Sequence, residues 1–333
     1  MIAVVLVGGF GTRLRPLTNT TPKALLPIAG RRMLERIVDQ LAAGGVTEIV
    51  LALGFKTDAF TEAFPSGRIS GLPMRAYSEP EPLDTAGAIA FAARSAGLTE
   101  RFLVVNGDII TDLDVAEVVA AHKAWGCEAT IHLVSVEDPT SFGVADIDAD
   151  GSISRFVEKP ARHEAPSNLI NAGTYVLEPS VLELIPAGGK VSVERVVFPA
   201  LAARGSLRGF ATDDYWLDTG RPELLLQANE DIYRGRRRLA RPVPAAADVC
   251  IDADANVSDS SLGSGCTVAA GARVERSVLL DGGWVAANAA VRASILGIGV
   301  RVGEGALVED SVLGDGVIVA PGEVLRGARR PEV

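Results

Sequence analysis

The 333-residue sequence is poor in the side chains on which several common chemistries depend. It has three cysteines, Cys127, Cys250 and Cys266, odd in number and far apart. Such spacing gives neither a disulfide framework nor a zinc site and suits a reducing cytoplasm. The three histidines, His122, His132 and His163, are equally scattered, so a histidine-based metal site or catalytic triad is not expected. Basic residues are in deficit, 32 Lys and Arg against 42 Asp and Glu, for a formal net charge of −10. Without a broad basic face, neither nucleic acid nor an anionic membrane is expected as a partner. Aromatic residues make up only 5% of the chain, so Tyr77, Trp125 and Trp284 read as core or subunit contacts, not as a stacking platform. Long apolar runs are missing too: Ile2–Val7 is far too short to span a bilayer and follows no basic leader. A soluble cytoplasmic protein is the expectation.

What is present starts with that apolar run. Ile2–Val7, rich in Val and bounded by glycines, reads as a buried strand. It leads into Gly8-Gly9-Phe10-Gly11-Thr12-Arg13-Leu14-Arg15-Pro16-Leu17-Thr18, closing at Pro22-Lys23. Three glycines let the backbone turn tightly and approach a ligand, and successive N–H groups in such a turn form a nest for phosphate. Arg13 and Lys23 add fixed positive charge, Arg with a planar fork matched to phosphate. Taken alone, the stretch reads equally as a triphosphate cradle or as a strand–turn–helix corner with two solvated cations. It lacks the Gly-Lys-Ser/Thr ending of a P-loop.

Further along, apolar spacing predicts helices at 32–43, 86–94 and 115–125, and strands at 48–53, 74–78 and 101–106. Strands alternating with helices give a mostly parallel sheet with ligands beyond the strand carboxyl ends, where Gly8–Arg13 and Gly107-Asp108 both fall. A hairpin, 142–147 and 152–158, turns at Asp148-Ala149-Asp150-Gly151. A strand at 169–177, a helix at 193–203, a strand at 207–211 and a helix from Thr219-Gly220-Arg221-Pro222 to about Tyr233 follow. The basic run Arg234–Arg238 reads as a solvated linker. Beyond Ala247 four columns repeat every 17 residues: Leu262, Leu279, Leu296, Leu313; Val268, Val285, Val302, Val319; Val274, Val291, Val308, Leu325; and Ser260, Ser277, Ser294, Ser311. Apolar steps of 6, 6 and 5 fit short strands turning corners, a parallel β-helix of four to five stacked coils. Such a solenoid commonly packs on another subunit, so a homo-oligomer, dimer or tetramer, is expected.

In this order the motifs resemble the sugar-1-phosphate nucleotidyltransferases, and among them the mannose-1-phosphate guanylyltransferase type. The likeness rests on Val7–Thr18 with Pro22-Lys23, Asn106-Gly107-Asp108, Phe142-Gly143-Val144 and Phe156-Val157-Glu158-Lys159-Pro160. It extends through Asn171-Ala172-Gly173-Thr174-Tyr175-Val176, Ser192-Val193-Glu194 with Phe198-Pro199, and Tyr215-Trp216-Leu217-Asp218-Thr219-Gly220. The resemblance implies an α/β fold, a Rossmann-like mixed, mostly parallel sheet over 1–235, a linker over 236–247 and a left-handed β-helix over 248–330. It implies attack of a sugar-1-phosphate on the α-phosphate of a nucleoside triphosphate, releasing pyrophosphate. Asp108 and Asp218 become Mg²⁺ ligands. Gly8, Gly9, Gly11, Thr12, Glu79 and Gly87 become nucleotide-binding, with Arg13 and Lys23 on the β- and γ-phosphates. Lys159 is placed on the sugar phosphate, and Gly143, Glu158 and Asn171 on the sugar; Arg15 stays open. Glu79, an acceptor-only carboxylate, matches the two donors of guanine's Watson–Crick edge better than uracil or thymine. One departure stands out: the guanylyltransferase type usually has Gly where this chain has Asp84. Alternatives are thymidylyl or uridylyl transfer to glucose 1-phosphate, guanylyl transfer to a heptose or cyclitol phosphate, and a non-catalytic nucleotide-sugar-binding subunit. Retention of Arg13, Lys23, Asp108 and Asp218 disfavours the last. A β-helix acyltransferase is disfavoured by the lack of any His after His163.

Overall fold

A computed structural model describes residues 1–54, 57–238 and 240–331; Leu239, within the expected linker, lies outside the described residues. The chain forms two compact units. The first comprises Met1–Gly9 and Ile37–Trp216, the second Phe10–Arg36 and Leu217–Val333.

The first unit is built on a ten-stranded sheet. Its centre is parallel: Phe102–Asn106, Ile2–Leu6, Glu48–Leu53 and Leu72–Ser78 lie side by side in that order. The first three of these strands are mostly Val, Ile, Leu and Ala, because a parallel sheet is covered on both faces, whereas Leu72–Ser78 is mixed and only partly buried. Register pairs Leu6 with Asn106 and with Ala52, so the chain leaves each strand at the same edge of the sheet. Gly8, Gly54, Glu79 and Asp108 all follow strand carboxyl ends there. Next to Phe102–Asn106 runs Leu169–Leu177, antiparallel, which pairs in turn with Gly143–Ile147, itself the partner of Ile153–Glu158.

Two differences from the sequence expectations matter. Ala129–Ser135, for which no strand is expected, is a strand between Leu169–Leu177 and Leu207–Thr212. It is buried from Ala129 to Val134, and with both faces covered the polar Thr130 and His132 are as buried as the apolar residues between them. The stretch expected as one helix over 193–203 opens with a π-helical turn, Val193–Val197, before the α-helix Phe198–Ala203. Phe198 then anchors the core, edge to face with Phe156 at 5.3 Å and Tyr175 at 5.1 Å. Such pairs contribute about 0.5–1.5 kcal/mol each beyond area burial.

In the second unit, residues 250–330 form three five-stranded parallel sheets, one strand of each per coil. Every register step is 17 residues, as in Val268 opposite Val285 and Val285 opposite Val302. The Leu and Val columns point inward to one core with Cys266, Ala272, Ala289 and Ala306. At the corners Asp259, Arg276, Ala293 and Asp310 take positive φ, 44° to 48°, and the serine that follows each is buried. The helix Pro222–Tyr233 and the loop Phe10–Arg36 belong to this same unit. Buried Asn229 joins the three parts: its Oδ1 accepts from Ala29 N–H at 2.8 Å and Ser261 Oγ–H at 2.9 Å, and its Nδ2 donates to Asp259 O at 3.0 Å.

Candidate active site

In the first unit the candidate residues gather at the carboxyl edge of the sheet. Gly8 is so close to Glu79 that a Cβ there would lie 3.3 Å from Glu79 Oε1, and 3.2 Å from Gly54 N. Gly9 is exposed beside it. Half-buried Glu79 accepts a hydrogen bond from Leu83 N–H at 2.9 Å through Oε2. Burial pushes its carboxyl pKa up, and the Leu83 bond opposes that. Asp84, exposed, holds φ +61°, so it keeps the left-handed backbone that a glycine would take, and its Oδ1 accepts from Thr85 N–H at 2.8 Å. Gly87 is buried under the 189–191 segment, with Gly189 O 2.7 Å from where its Cβ would be. Its missing side chain thus has a packing use.

Asp108 sits in the turn after Phe102–Asn106. Across the sheet, Gly173 at φ +78° lets the chain pass Asn106, whose Nδ2 would be 2.7 Å from any Cβ. Gly173 N–H donates to Asn171 Oδ1 and Asn171 Nδ2 donates to the Tyr175 hydroxyl, both at 2.9 Å. Tyr175 is fully buried; burial raises its pKa, and the carboxylates of Glu194, Glu158 and Asp108 raise it further. Glu158 stands opposite Gly143 in the hairpin, its Oε2 3.0 Å from where a Gly143 Cβ would be. Its pKa is raised by burial and by Glu194. Lys159, at φ +49°, extends into solvent with Nζ 3.6 Å from Glu158 Oε1.

Glu194 is the residue the sequence left without a role. Its Oε2 accepts from Thr85 Oγ–H and Ser192 Oγ–H, each at 2.7 Å, and it faces the same tyrosine as Glu158 and Asp108. The signal was present in Ser192-Val193-Glu194, but a single carboxylate on a helix gives no hint of its neighbours. Together these groups form an acceptor-rich patch, with an amide and one lysine, suited to a hydroxyl-bearing ligand with a phosphate.

The second unit holds the other five candidates. Gly11 takes φ +59° at the head of the 3₁₀ turn Thr12–Leu14. A Cβ there would meet Thr18 Cγ2 at 2.9 Å, and Thr18 Oγ–H donates to Gly11 O at 2.8 Å, so the turn needs glycine. Thr12 and Arg13 are exposed. Lys23 Nζ lies 3.7 Å from Asp218 Oδ1, with side chains 11% and 24% exposed. Asp218 Oδ1 also accepts from Gly220 N–H at 2.8 Å. A Cβ at Gly220 would be 2.5 Å from Arg13 Nη2 and 2.8 Å from Asp218 Oδ1, so Arg13 and Asp218 flank the same glycine. Two cations and a carboxylate converge beside the glycine turn.

Residues 2–235 match the nucleotidyl transferase family and residues 240–329 the GMPPB C-terminal domain. The chain belongs to the nucleotidyl transferase family. It is 40% identical over 235 residues to a mannose-1-phosphate guanylyltransferase of Mycobacterium tuberculosis, covering 70% of this chain and 65% of that protein. It is 40% identical over 256 residues to a mannose-1-phosphate guanyltransferase of Schizosaccharomyces pombe, covering 75% and 69%. Among solved structures it is similar to HddC from Yersinia pseudotuberculosis, also solved complexed with GMP-PN, with TM-score 0.58, 31% identity and coverage of 68% and 97%. A putative glucose-1-phosphate thymidylyltransferase from Bacillus anthracis aligns with TM-score 0.63, 27% identity and coverage of 74% and 98%. No described helix is long and apolar enough to cross a membrane.

Proposed function

We propose that this chain transfers a guanylyl group from GTP to mannose 1-phosphate, giving GDP-mannose and pyrophosphate. The observation that carries the reading is the convergence of Arg13, Lys23 and Asp218 beside the Gly11 turn, in a chain 40% identical to named mannose-1-phosphate guanylyltransferases. A phosphate oxygen of the sugar phosphate forms a bond to the α-phosphorus, and the bond from that phosphorus to the bridging oxygen of pyrophosphate breaks. No general base is required, because a phosphate monoester with second pKa about 6 is mostly ionised at pH 7. Catalysis is then positioning and charge neutralisation.

Each side chain has a task matched to its chemistry. Gly8, Gly9, Gly11 and Thr12 offer backbone N–H groups to the triphosphate; Arg13 and Lys23 stabilise the leaving pyrophosphate. Glu79 accepts from guanine N1–H and the 2-amino group, with Gly87 in the same turn. Glu158, Asn171 and the Gly143 backbone take sugar hydroxyls, and Lys159 takes the sugar phosphate. Asp108 in the first unit and Asp218 in the second are each assigned to Mg²⁺. The donor chemistry fits, since Mg²⁺ prefers one or two carboxylates with phosphate and water completing its shell. Among the described residues no group of three or more His, Cys, Asp or Glu could hold a metal by themselves. When bound, the ion neutralises charge on the phosphates. Exposed Trp284 and Ile318, in one outward column of the β-helix, support a homo-oligomer, and light scattering tests it. A cytoplasmic location is inferred from the free cysteines.

Pyrophosphate release from GTP, dTTP and UTP against mannose, glucose and heptose 1-phosphates tests the reading. GTP with mannose 1-phosphate is expected to turn over fastest; no release with any pair rejects the enzyme reading. Replacing Glu79 by Gln keeps the fold and lowers preference for GTP by roughly 10- to 100-fold, the value of a charged hydrogen bond. Unchanged relative turnover across the triphosphates would remove Glu79 from base selection. Asp218→Asn should cut turnover by roughly 100-fold or more with the fold intact; near-normal activity would take Asp218 out of the metal site.

A further inference from the structure

The loop Phe10–Arg36 belongs to the same compact unit as the β-helix, and the last coil touches it directly. Arg329 lies in that coil, opposite Val312. Its Nη1 donates to Arg13 O at 3.0 Å and to Arg15 O at 3.3 Å. Over residues 11–21 the loop's own backbone hydrogen bonds use the carbonyls of Gly11, Thr12, Pro16 and Leu17. Arg329 therefore takes two carbonyls that the local turns leave over, one on each side of buried Leu14. Two further contacts lie alongside. Thr20 Oγ–H donates to Asp315 Oδ2 at 2.7 Å, and Pro16 Cβ lies 3.1 Å from where a Gly314 Cβ would be.

We propose that Arg329 is a positioning residue for the glycine-rich loop, holding the backbone at Arg13–Arg15 and so the direction in which the Arg13 guanidinium points. The inference rests on the triphosphate role given to that loop. A cationic donor bound to a neutral carbonyl is a charge-assisted hydrogen bond, stronger than a neutral one. A misplacement of about 1 Å in a positioning element can cost on the order of 100-fold in rate. The plain alternative is that Arg329 only finishes the last coil, in which case its loss affects stability and leaves substrate handling alone.

The test uses the full chain with Arg329→Ala, Arg329→Lys and Thr20→Val. Two readouts are taken: steady-state kinetics with GTP and mannose 1-phosphate, and hydrogen exchange of the amides of residues 12–18. Arg329→Ala is expected to raise KM for GTP by roughly tenfold and to lower kcat, with KM for mannose 1-phosphate within about twofold of the native chain. The amides of 12–18 should exchange faster. Arg329→Lys should recover most of both effects, because an ammonium still donates to one carbonyl. Unchanged KM for GTP and unchanged exchange in a folded Arg329→Ala protein overturn the proposal. If that variant does not fold, Thr20→Val, which removes a hydroxyl outside the coil, should shift exchange in the same direction, and no shift there overturns it. A native chain that releases no pyrophosphate rejects the proposed reaction, while the exchange measurement still decides the role of Arg329.

Discussion

His132 lies mid-strand in Ala129–Ser135, wholly buried. Its Nε2 meets Thr212 Oγ at 2.9 Å, and its Nδ1 is buried with no hydrogen-bond partner among the described residues. Protonation would bury an unpaired donor and a charge together, and burial pushes the pKa down to about 4. In the unfolded chain the value is near 6.5. The unfolded state therefore binds the proton first, and stability is full above about pH 6.5 and falls as pH drops toward 4. The size is about 3 kcal/mol. His122, lowered mainly by its burial, works in the same direction. Urea unfolding at pH 7, 5.5 and 4.5 should show the native chain losing stability faster than His132→Leu; parallel losses would clear His132 of the effect. Asp84 shows another residue-scale compromise. At φ +61° it occupies a conformation that costs a non-glycine residue on the order of 1 kcal/mol, least for Asp and Asn. Asp84→Val should therefore lower stability by about 1–2 kcal/mol more than Asp84→Gly does in the same denaturation assay.

At the scale of the element, the β-helix is held by a ladder as well as by its core. Each corner serine donates to the carbonyl two residues back and accepts the N–H of the residue 17 further on. Ser294 Oγ–H bonds Arg292 O at 2.7 Å and accepts Ser311 N–H at 3.0 Å. The ladder closes at Ala328, whose N–H reaches Ser311 Oγ at 3.0 Å. Ser294→Ala leaves the buried Ser311 N–H unpaired and should cost about 1–3 kcal/mol in urea unfolding followed by the fluorescence of Trp284. Ser311→Ala, near the end of the stack, should cost less. Equal midpoints for Ser294→Ala and the native chain would show that water replaces the hydroxyl. This element was readable because each period repeats the same physical demand, so chance agreement cancels over four columns. The opposite holds for Ala129–Ser135. Its run Ala-Thr-Ile-His-Leu-Val-Ser carries three polar side chains and an alternation that breaks at Val134, and it is a strand because Leu169–Leu177 and Leu207–Thr212 pair with it on either side. Pairing of Gly209 with Ile131 spans 78 residues of sequence, which no local pattern carries.

For the whole molecule, the candidate residues could be named from the sequence and their neighbours could not. Arg13, Lys23 and Asp218 could be named from residue type and order, but the closeness of Arg13 and Asp218 about Gly220 depends on a fold that brings residues 13 and 220 together. Glu194 was invisible for the same reason. The compact units show this on the largest scale. The family matches part between 235 and 240, whereas Phe10–Arg36 and Leu217–Val333 form one unit. Contacts that bind loop, helix and coils there include Asn229 with Ala29, Ser261 and Asp259; Thr20 with Asp315; Pro16 against Gly314; and Arg329 with Arg13 and Arg15. A chain ending at Ala247 would lose Asp259, Ser261, Gly314, Asp315 and Arg329 at once. It would leave Asn229 Nδ2 without its acceptor and Pro16, buried in the intact unit, exposed. Losing one satisfied buried group costs about 1–3 kcal/mol, and several such losses approach the whole stability of a domain, about 5–15 kcal/mol. The truncated chain is therefore expected either to aggregate or to release pyrophosphate at roughly 1% of the native rate or less, with fast exchange at residues 12–18. A soluble 1–247 chain with native turnover would mean that the glycine-rich loop keeps its shape without the coils.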